Sequence, residues 1–434
     1  MGRRQHRAAA APAVHLARPR VSGAHGPGVP RRAPARSVGA GALRILGLTN
    51  FLPPLHYGYG AICADAMGEL AARGHDVGVL AADGGEGPAF AVRRGLVDVP
   101  AAWRHPVAGL RAEIASERAV RGALHSGRRP DVAIAWHMRG IPKGTLTLLH
   151  AAGVPVIYML GDLWVVYERP GPPSWWRAWQ AADASAAYRI VRGAAGRAAG
   201  LGRLRLDPPP IAEQGICAFT SRWLQERHAQ AGFRPVHAHV VPNGIRLEGR
   251  DGGSRPPLTG RDLRVLFAGR ADATKGADIA VAAIARVPGA RLTLAGDGPY
   301  ATSGERVTAL GMVSRERVAQ LMREADVFVM PGRIDEAFGL VYLEAMAAGA
   351  VVVGTATGGA AELVRDGVNG LVVAPEPGGV AAALTRLRDD DALRARLAAG
   401  GRATAAAYGL DRMVDAIEQL AAAAQAQRPA IASS

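Results

Sequence analysis

"LRVLFAGRADATKGADIAV", residues 263–281, decides how the chain is read. A short apolar run ends on Gly269 and Arg270; a polar loop follows, and a second apolar run starts after Gly276. The first run reads as a strand buried on both faces, the second as the opening of a helix. A strand end that leads into a helix start binds anions, because unpaired backbone N–H groups and the positive end of the helix dipole converge there. Arg270 can clamp two phosphate oxygens with its planar fork, and Lys275 adds a compact charge on a flexible stem. The chain has 52 basic residues, and only Lys143 and Lys275 are lysine. Alanine, glycine and arginine dominate as they do in GC-rich coding, so surplus arginine says little and a retained lysine says more. A cation at a helix start opposes the dipole, which argues against Lys275 as a plain surface residue.

The same alternation runs the length of the chain. "LRILGLT" (43–49), "DVGVLA", "PDVAIAW", "VPVIYML" and "GICAFTS" are short apolar runs with helical stretches between them, such as "ADAMGELAARG" with Gly74 as its stop. After "VVPNGI" comes "RLEGRDGGSRPPLTGRD", rich in Gly, Pro and charge, which reads as a linker. Alternation restarts with "LRVLFAG", "ARLTLAG", "DVFVMPG" and "AVVVGTA". Buried strands alternating with helices predict parallel sheets covered on both faces. At 434 residues the expectation is two Rossmann-like, doubly wound α/β domains facing across a cleft, with ligands at the C-terminal ends of the strands. The predicted divisions are a basic tail over 1–42, a first domain over 43–245, a second over 262–405, and a closing helix with tail over 406–434 that packs back on the first domain.

Within "DEAFGLVYLEAMAAGAVVVGTATGGAAELV" (335–364), Glu336 reads as a loop residue and Glu344 as part of a helix stopped by Gly349. A carboxylate on a helix that follows a strand can hold a ribose diol. The amides near Gly339 and Leu340 would face a phosphate. Taken singly, a capping Glu and a solvated helix Glu are the simpler readings; beside Arg270 and Lys275 they are not.

Residues 264–372 resemble the C-terminal domain of family 4 glycosyltransferases, which have the GT-B fold. "FAGR…KG", "LAGDGP", "ADVFVMPGR", "EAFGLVYLEAMAAG" and "GGAAELVRDGVNGLVV" follow one another in the family's order and spacing. The resemblance implies that Arg270 and Lys275 bind the donor diphosphate and Glu344 the ribose. It places Glu336 by the transferred sugar, with Phe338, Gly339 and Leu340 lining the donor site. It also implies retention of anomeric configuration, no metal and no cofactor. The acidic start of "RDDDALRARLA" (388–398) reads as a helix N-cap rather than a metal site. "VVPNGI" also matches, with Arg246 where an acid usually follows.

The first domain matches less closely. "NFLPPLHYGYGA" (50–61) occupies the place of the family's first glycine loop, and Tyr59 splits Gly58 from Gly60, which the resemblance sets beside the donor. His137 ends the strand "PDVAIAWH"; the resemblance puts it near the sugar, and packing alone is the competing reading. Asp162 and Lys143 are candidate acceptor contacts, with loop capping as the plainer reading for Asp162. "RPGPPSWWRAWQ" (169–180) holds Trp175, Trp176 and Trp179 and reads as a packed helix by default, with an aromatic acceptor platform or a peripheral membrane contact as alternatives.

The net charge of +15 falls to +7 (15 − 8) without residues 1–42, which hold eight Arg and no acid. That tail lacks apolar periodicity and is expected to be disordered. It reads as a start codon assigned too early, ahead of a transit-like peptide or a nucleic-acid arm. No nucleic-acid partner is expected. Two distant cysteines, Cys63 and Cys217, make no disulfide framework and fit a reducing cytoplasm. No run of about 18 apolar residues exists to span a membrane. The expected activity is transfer of a sugar, UDP-linked by preference, to a small-molecule, glycan or lipid-linked acceptor. A regulatory or non-catalytic nucleotide-sugar binder, a transferase of sucrose or trehalose type, and a GT-B epimerase stand as alternatives.

Overall fold

The computed structural model describes residues 41–53, 58–83, 90–98, 106–167, 189–190, 193–197, 215–250, 253 and 256–426. The basic tail up to residue 40, the tryptophan-rich stretch 169–180 and the last eight residues lie outside these.

The first sheet has seven strands: β1 (Arg44–Phe51), β2 (Asp76–Asp83), β3 (Ala91–Arg94), β4 (Val132–Ala135), β5 (Val156–Leu160), β6 (Ile216–Phe219) and β7 (His237–Val240). Their order is β3-β2-β1-β4-β5-β6-β7, and every pairing is parallel. The second has six: β8 (Leu263–Ala268), β9 (Ala290–Ala295), β10 (Val307–Ala309), β11 (Val327–Met330), β12 (Val351–Gly354) and β13 (Gly370–Val372), in the order β10-β9-β8-β11-β12-β13. These are again all parallel. Both sheets are thus doubly wound, and each reverses direction beside its first strand, at β1/β4 and at β8/β11.

Side-chain alternation explains the two-sided burial. Ile45, Val77, Ile134 and Ile157 face one layer of the first sheet, and their neighbours Leu46, Ala133, Val156 and Tyr158 face the other. The first layer is completed by the helices Tyr59–Ala72 and Leu410–Ala426, whose Met413, Val414 and Ile417 are buried in it. The closing helix therefore packs on the first domain's sheet, not the second's.

The chain passes between the domains twice, and the two passages lie side by side. Ile245 N–H donates to Tyr408 O (3.0 Å), and Leu410 N–H donates to Ile245 O (2.9 Å). A Cβ on Gly244 would sit 2.7 Å from Gly409 O, so this crossing requires glycine. A second tie joins the domains at the helix Arg222–Gln230. Its cap Ser221 donates to Ala337 O (2.7 Å), and Glu362 of the other domain accepts from the amides of Arg222 (3.2 Å) and Trp223 (2.8 Å). Those amides are the orphan donors of a first helical turn. Two of their partners therefore come from the opposite domain.

At the base of the second sheet, Asp326 is fully buried and accepts from Arg261 (2.7 and 3.0 Å) and from Arg264, main chain and side chain. Burial pushes its carboxyl up, and the arginine hydrogen bonds more than reverse this and hold it below the usual range. Asp390 caps the helix Asp391–Ala406 through the Leu393 amide (2.8 Å), the role read from the acidic run. Among the described residues no cluster of three His, Cys, Asp or Glu side chains is arranged to hold a metal. No helix among them is long and apolar enough to cross a membrane.

Candidate active site

The two loops at the β8/β11 reversal are locked together. After β8 the chain turns through Gly269–Gly276 into the helix Ala277–Ile284; after β11 it runs through Pro331–Gly339 into the helix Leu340–Ala347. Gly276 caps the first helix in the left-handed region (φ 78°). A Cβ there would lie 2.6 Å from the Pro331 carbonyl carbon and nearer still to its oxygen. Arg333 N–H donates to Thr274 O (2.9 Å), and its guanidinium grips both oxygens of Asp278 (2.8 and 2.7 Å). The Lys275 ammonium reaches across to Glu336 Oε1 at 2.5 Å.

Arg270 stands outward, its side chain 69% exposed, with Nη1 3.4 Å from Asp272 Oδ2. Asp272 organises the turn: it accepts from the Thr274 hydroxyl (2.5 Å) and the Lys275 amide (3.0 Å). Burial works against its charge, and these bonds with Arg270 still hold its carboxyl below the usual range. The glycines of "LAGDGP" are needed where the end of β9 touches this turn. Gly298 (φ 149°) would place a Cβ 2.6 Å from Ala271 O, and Ala271 N–H donates to Asp297 O (2.9 Å).

The helix Leu340–Ala347 is capped by Gly339 (φ 95°), and no side chain caps it. Its first residues, Leu340 and Val341, line a cleft of about 430 Å³ together with Gly58, Ala61 and Ile62 from the first domain. The second domain supplies Gly269, Arg270, Gly296, Met312, Val313, Arg315 and Glu344 to the same cleft. Gly58, Arg270, Leu340 and Glu344 of the predicted set therefore share one cavity, and the Lys275–Glu336 pair sits on the loops that flank it. Phe338 is buried and meets Tyr408 edge-on (5.8 Å between ring centres), so it packs toward the return crossing. Arg315 and Met312 were not anticipated, because nothing in their sequence surroundings marks a ligand.

The first domain contributes a second group. His137, just past β4, pairs through Nε2 with Asp162 Oδ2 (3.1 Å), and Asp162 Oδ1 accepts from Trp164 N (3.0 Å). Burial raises the Asp162 carboxyl; the His137 and Trp164 hydrogen bonds outweigh it and hold the group below the usual range. An ionised Asp162 accepts, so His137 Nε2 carries a proton. Among the described residues, His137 Nδ1, Trp136 Nε1 and Tyr59 Oη are buried and find no hydrogen-bond partner.

Tyr59 lies beside these rings, 6.0 Å from Trp136 and 6.5 Å from His137. It also occupies the space a side chain on Gly161 would need. Burial raises its phenol well above the usual range, and the nearby Asp162 adds to this. Gly58 takes φ 90° at the helix start, and Gly60 is held against Phe51, where a Cβ would lie 2.5 Å from the ring. Lys143 is not among the residues lining the cleft. Its ammonium donates to Met138 O (2.5 Å) and Ile141 O (2.7 Å) and lies 5.0 Å from the Trp164 ring centre, so it fastens its own loop.

Comparison with known proteins follows the same division. Residues 58–198 match the family model described as glycosyltransferase family 4, and residues 262–390 match that for glycosyl transferases group 1. A D-inositol 3-phosphate glycosyltransferase of Xylanimonas cellulosilytica is 36% identical over 220 residues, 44% of this chain and 52% of that protein. The match thus spans about half of that relative's length. A D-inositol 3-phosphate glycosyltransferase of Catenulispora acidiphila is 30% identical over 327 residues, 68% of this chain and 72% of that protein. The crystal structure of Anabaena HepE in complex with UDP-glucose superposes with a TM-score of 0.63 at 20% identity. That alignment covers 88% of this chain and 100% of the other.

Proposed function

This chain belongs to the family 4 glycosyltransferases, and from that premise we propose that it transfers a sugar from a nucleoside diphosphate donor, UDP-linked by preference, to a polyhydroxylated acceptor, with retention and without a divalent metal. One observation carries the reading. Glu344, Arg270 and the start of the helix Leu340–Ala347, which no side chain caps, share a cleft with Gly58, and Lys275 and Glu336 are locked together beside it.

The chemistry follows from charge. Cleavage of the sugar–diphosphate bond places negative charge on the leaving group. Fixed cations and helix amides aimed there stabilise the transition state more than the ground state. An ammonium has three donors, so Lys275 can hold Glu336 and a phosphate oxygen together. Glu336 stands by the developing positive charge of the transferred sugar, and Glu344 accepts from the ribose diol. His137, held by Asp162, approaches the sugar from the first domain. We place the acceptor near Tyr59, Trp136 and His137, whose unpartnered polar atoms suit a ligand that both donates and accepts; the names of the relatives support such a compound. The enzyme is proposed to act in the cytoplasm, in cell-envelope or secondary-metabolite assembly. Arg270, Lys275, Glu336 and His137 are proposed as the catalytic residues.

A second reading, a nucleotide-sugar binder without turnover, is favoured only by the irregular glycine pattern, in which Tyr59 splits Gly58 from Gly60. The test is incubation of the chain lacking residues 1–42 with a panel of nucleotide sugars in the absence of divalent metal, beside Lys275→Ala. Slow release of one nucleoside diphosphate, lost in the variant, supports the transferase. Tight binding with no release, even with polyol acceptors present, supports the binder. No binding to any donor would overturn both.

A further inference from the structure

Three arginines beside the cleft have carboxylate partners that the chemistry above does not require. Arg315 lines the cleft and sits between acids of opposite domains. Its Nη2 donates to Asp65 Oδ2 at 2.8 Å and stands 3.9 Å from Glu344 Oε1. Asp65 lies on the helix Tyr59–Ala72 of the first domain. Arg250, from the segment that joins the domains, donates to the same Glu344 oxygen at 3.0 Å. Arg246 closes the far end, with Nε 3.6 Å from Asp65 Oδ1 and Nη1 3.6 Å from Glu69 Oε2. This is the arginine that stands where the family usually has an acid. Signs alternate along Arg250, Glu344, Arg315, Asp65 and Arg246, so the row runs from the linker, through the cleft, to the first domain and back.

The geometry at Glu344 is one-sided. Both arginines converge on Oε1, and Oε2 takes no protein donor among the described residues. A carboxylate held by one oxygen is fixed in rotation and presents the other to a ligand. We propose that Arg315 and Arg250 are positioning residues for the donor: they hold Oε1 of Glu344 so that Oε2 meets the diol of a nucleoside diphosphate. Asp65 fixes Arg315 in turn, which makes donor affinity depend on the first domain. The inference rests on the reading of Glu344 as the ribose-binding carboxylate.

The test is calorimetric binding of UDP, with GDP and ADP beside it, to the full chain and its variants, together with kcat and KM for donor hydrolysis. Arg315→Ala is expected to raise the Kd for UDP and the KM for donor about five-fold, as befits a partly exposed ion pair, with kcat within two-fold and melting unchanged. Arg315→Lys should recover part of the loss. Asp65→Ala should shift affinity the same way, and the double variant should be no weaker than Arg315→Ala alone, because the two act as one unit. Unchanged UDP affinity in Arg315→Ala, where Glu344→Ala weakens it, would overturn the proposal. So would tighter binding, which would make the arginines competitors, or a fall in kcat and melting temperature together. If the unaltered chain binds none of the three nucleotides, the donor-site reading fails first and this proposal fails with it.

Discussion

Gly276→Ala tests the interlocked loops directly. The residue sits at φ 78°, and an added Cβ would lie 2.6 Å from the Pro331 carbonyl carbon. Forcing a residue with a Cβ into the left-handed region costs roughly 1–2 kcal/mol. Displacing packed backbone to admit the methyl costs about 1–3 kcal/mol more. The sum, about 2–5 kcal/mol, is a large part of the roughly 5–15 kcal/mol that holds a domain together. For a domain of this size it corresponds to a fall in melting temperature of roughly 5–15 °C. Gly367→Ala is the matched control, because that glycine has φ 67° and nothing within 4 Å of its would-be Cβ. It bears the conformational term alone, about 1–2 kcal/mol. Thermal unfolding of both variants, with donor hydrolysis at a temperature where both are folded, separates the terms. The displaced Pro331 loop carries Glu336, and Gly276 directly follows its partner Lys275 on the facing loop, so Gly276→Ala should also lose donor hydrolysis while Gly367→Ala keeps it. Equal melting temperatures and equal activities in the two variants would refute the argument that these loops are locked by close backbone approach.

On the proposed mechanism Lys275→Ala removes a fixed cation from the leaving group and should lower kcat for donor release about 100-fold, with melting nearly unchanged because the side chain is partly exposed. Asp326→Ala leaves Arg261 and Arg264 facing an empty buried site; the denaturant midpoint should record a loss of about 3 kcal/mol, at the low end for a broken buried pair since both arginines reach solvent. His150, whose pKa burial lowers to about 4, stays neutral in the fold while the unfolded chain takes up its proton below pH 6.5. Between about pH 6.5 and 4 the unfolded state binds more protons, so stability falls as pH falls, by up to about 1.4 kcal/mol per unit. Denaturant midpoints across that window should show a slope that His150→Gln flattens, and an unchanged slope would remove His150 as its source.

Strands buried on both faces were legible because burial on two sides leaves no alternative to an apolar run. "LRVLFAG" and "DVFVMPG" became β8 and β11. The edges were not legible: β3 ("AVRR") is largely exposed and carries two arginines, β7 ("HAHV") is half-exposed with two histidines, and both take their register from a neighbour rather than from their own residues. Helix stops at Gly74 and Gly349 were read correctly because each needs positive φ, 96° and 79°. The loop position of Glu336 and the helical position of Glu344 followed from the same turn chemistry at Gly339. What no local pattern announced was the partner of each charge. Arg250 looks like a linker residue and Asp65 like a solvated helix acid until folding brings them within reach of Glu344 and Arg315. The partners of Lys143 were hidden for a related reason, since its rarity drew attention while its carbonyl partners are set only by the turn it closes.

The paired crossings at Ile245 and Tyr408 have a consequence for how such a molecule is assembled and altered. In space the first domain is continuous from β7 to its closing helix; along the chain it is interrupted by about 160 residues, roughly the span from Arg246 to Ala407. The second domain is in effect a cassette inserted at one point, with entry and exit a single hydrogen bond apart. A cassette with adjacent ends can be replaced by another, or removed and bridged by a short turn, without cutting any element of the host. Exchange of the whole segment between relatives would then carry one ligand half into a new context, with Gly244 and Gly409 as the seams and the Glu362 and Arg315 contacts as the fit that has to be matched on the other side.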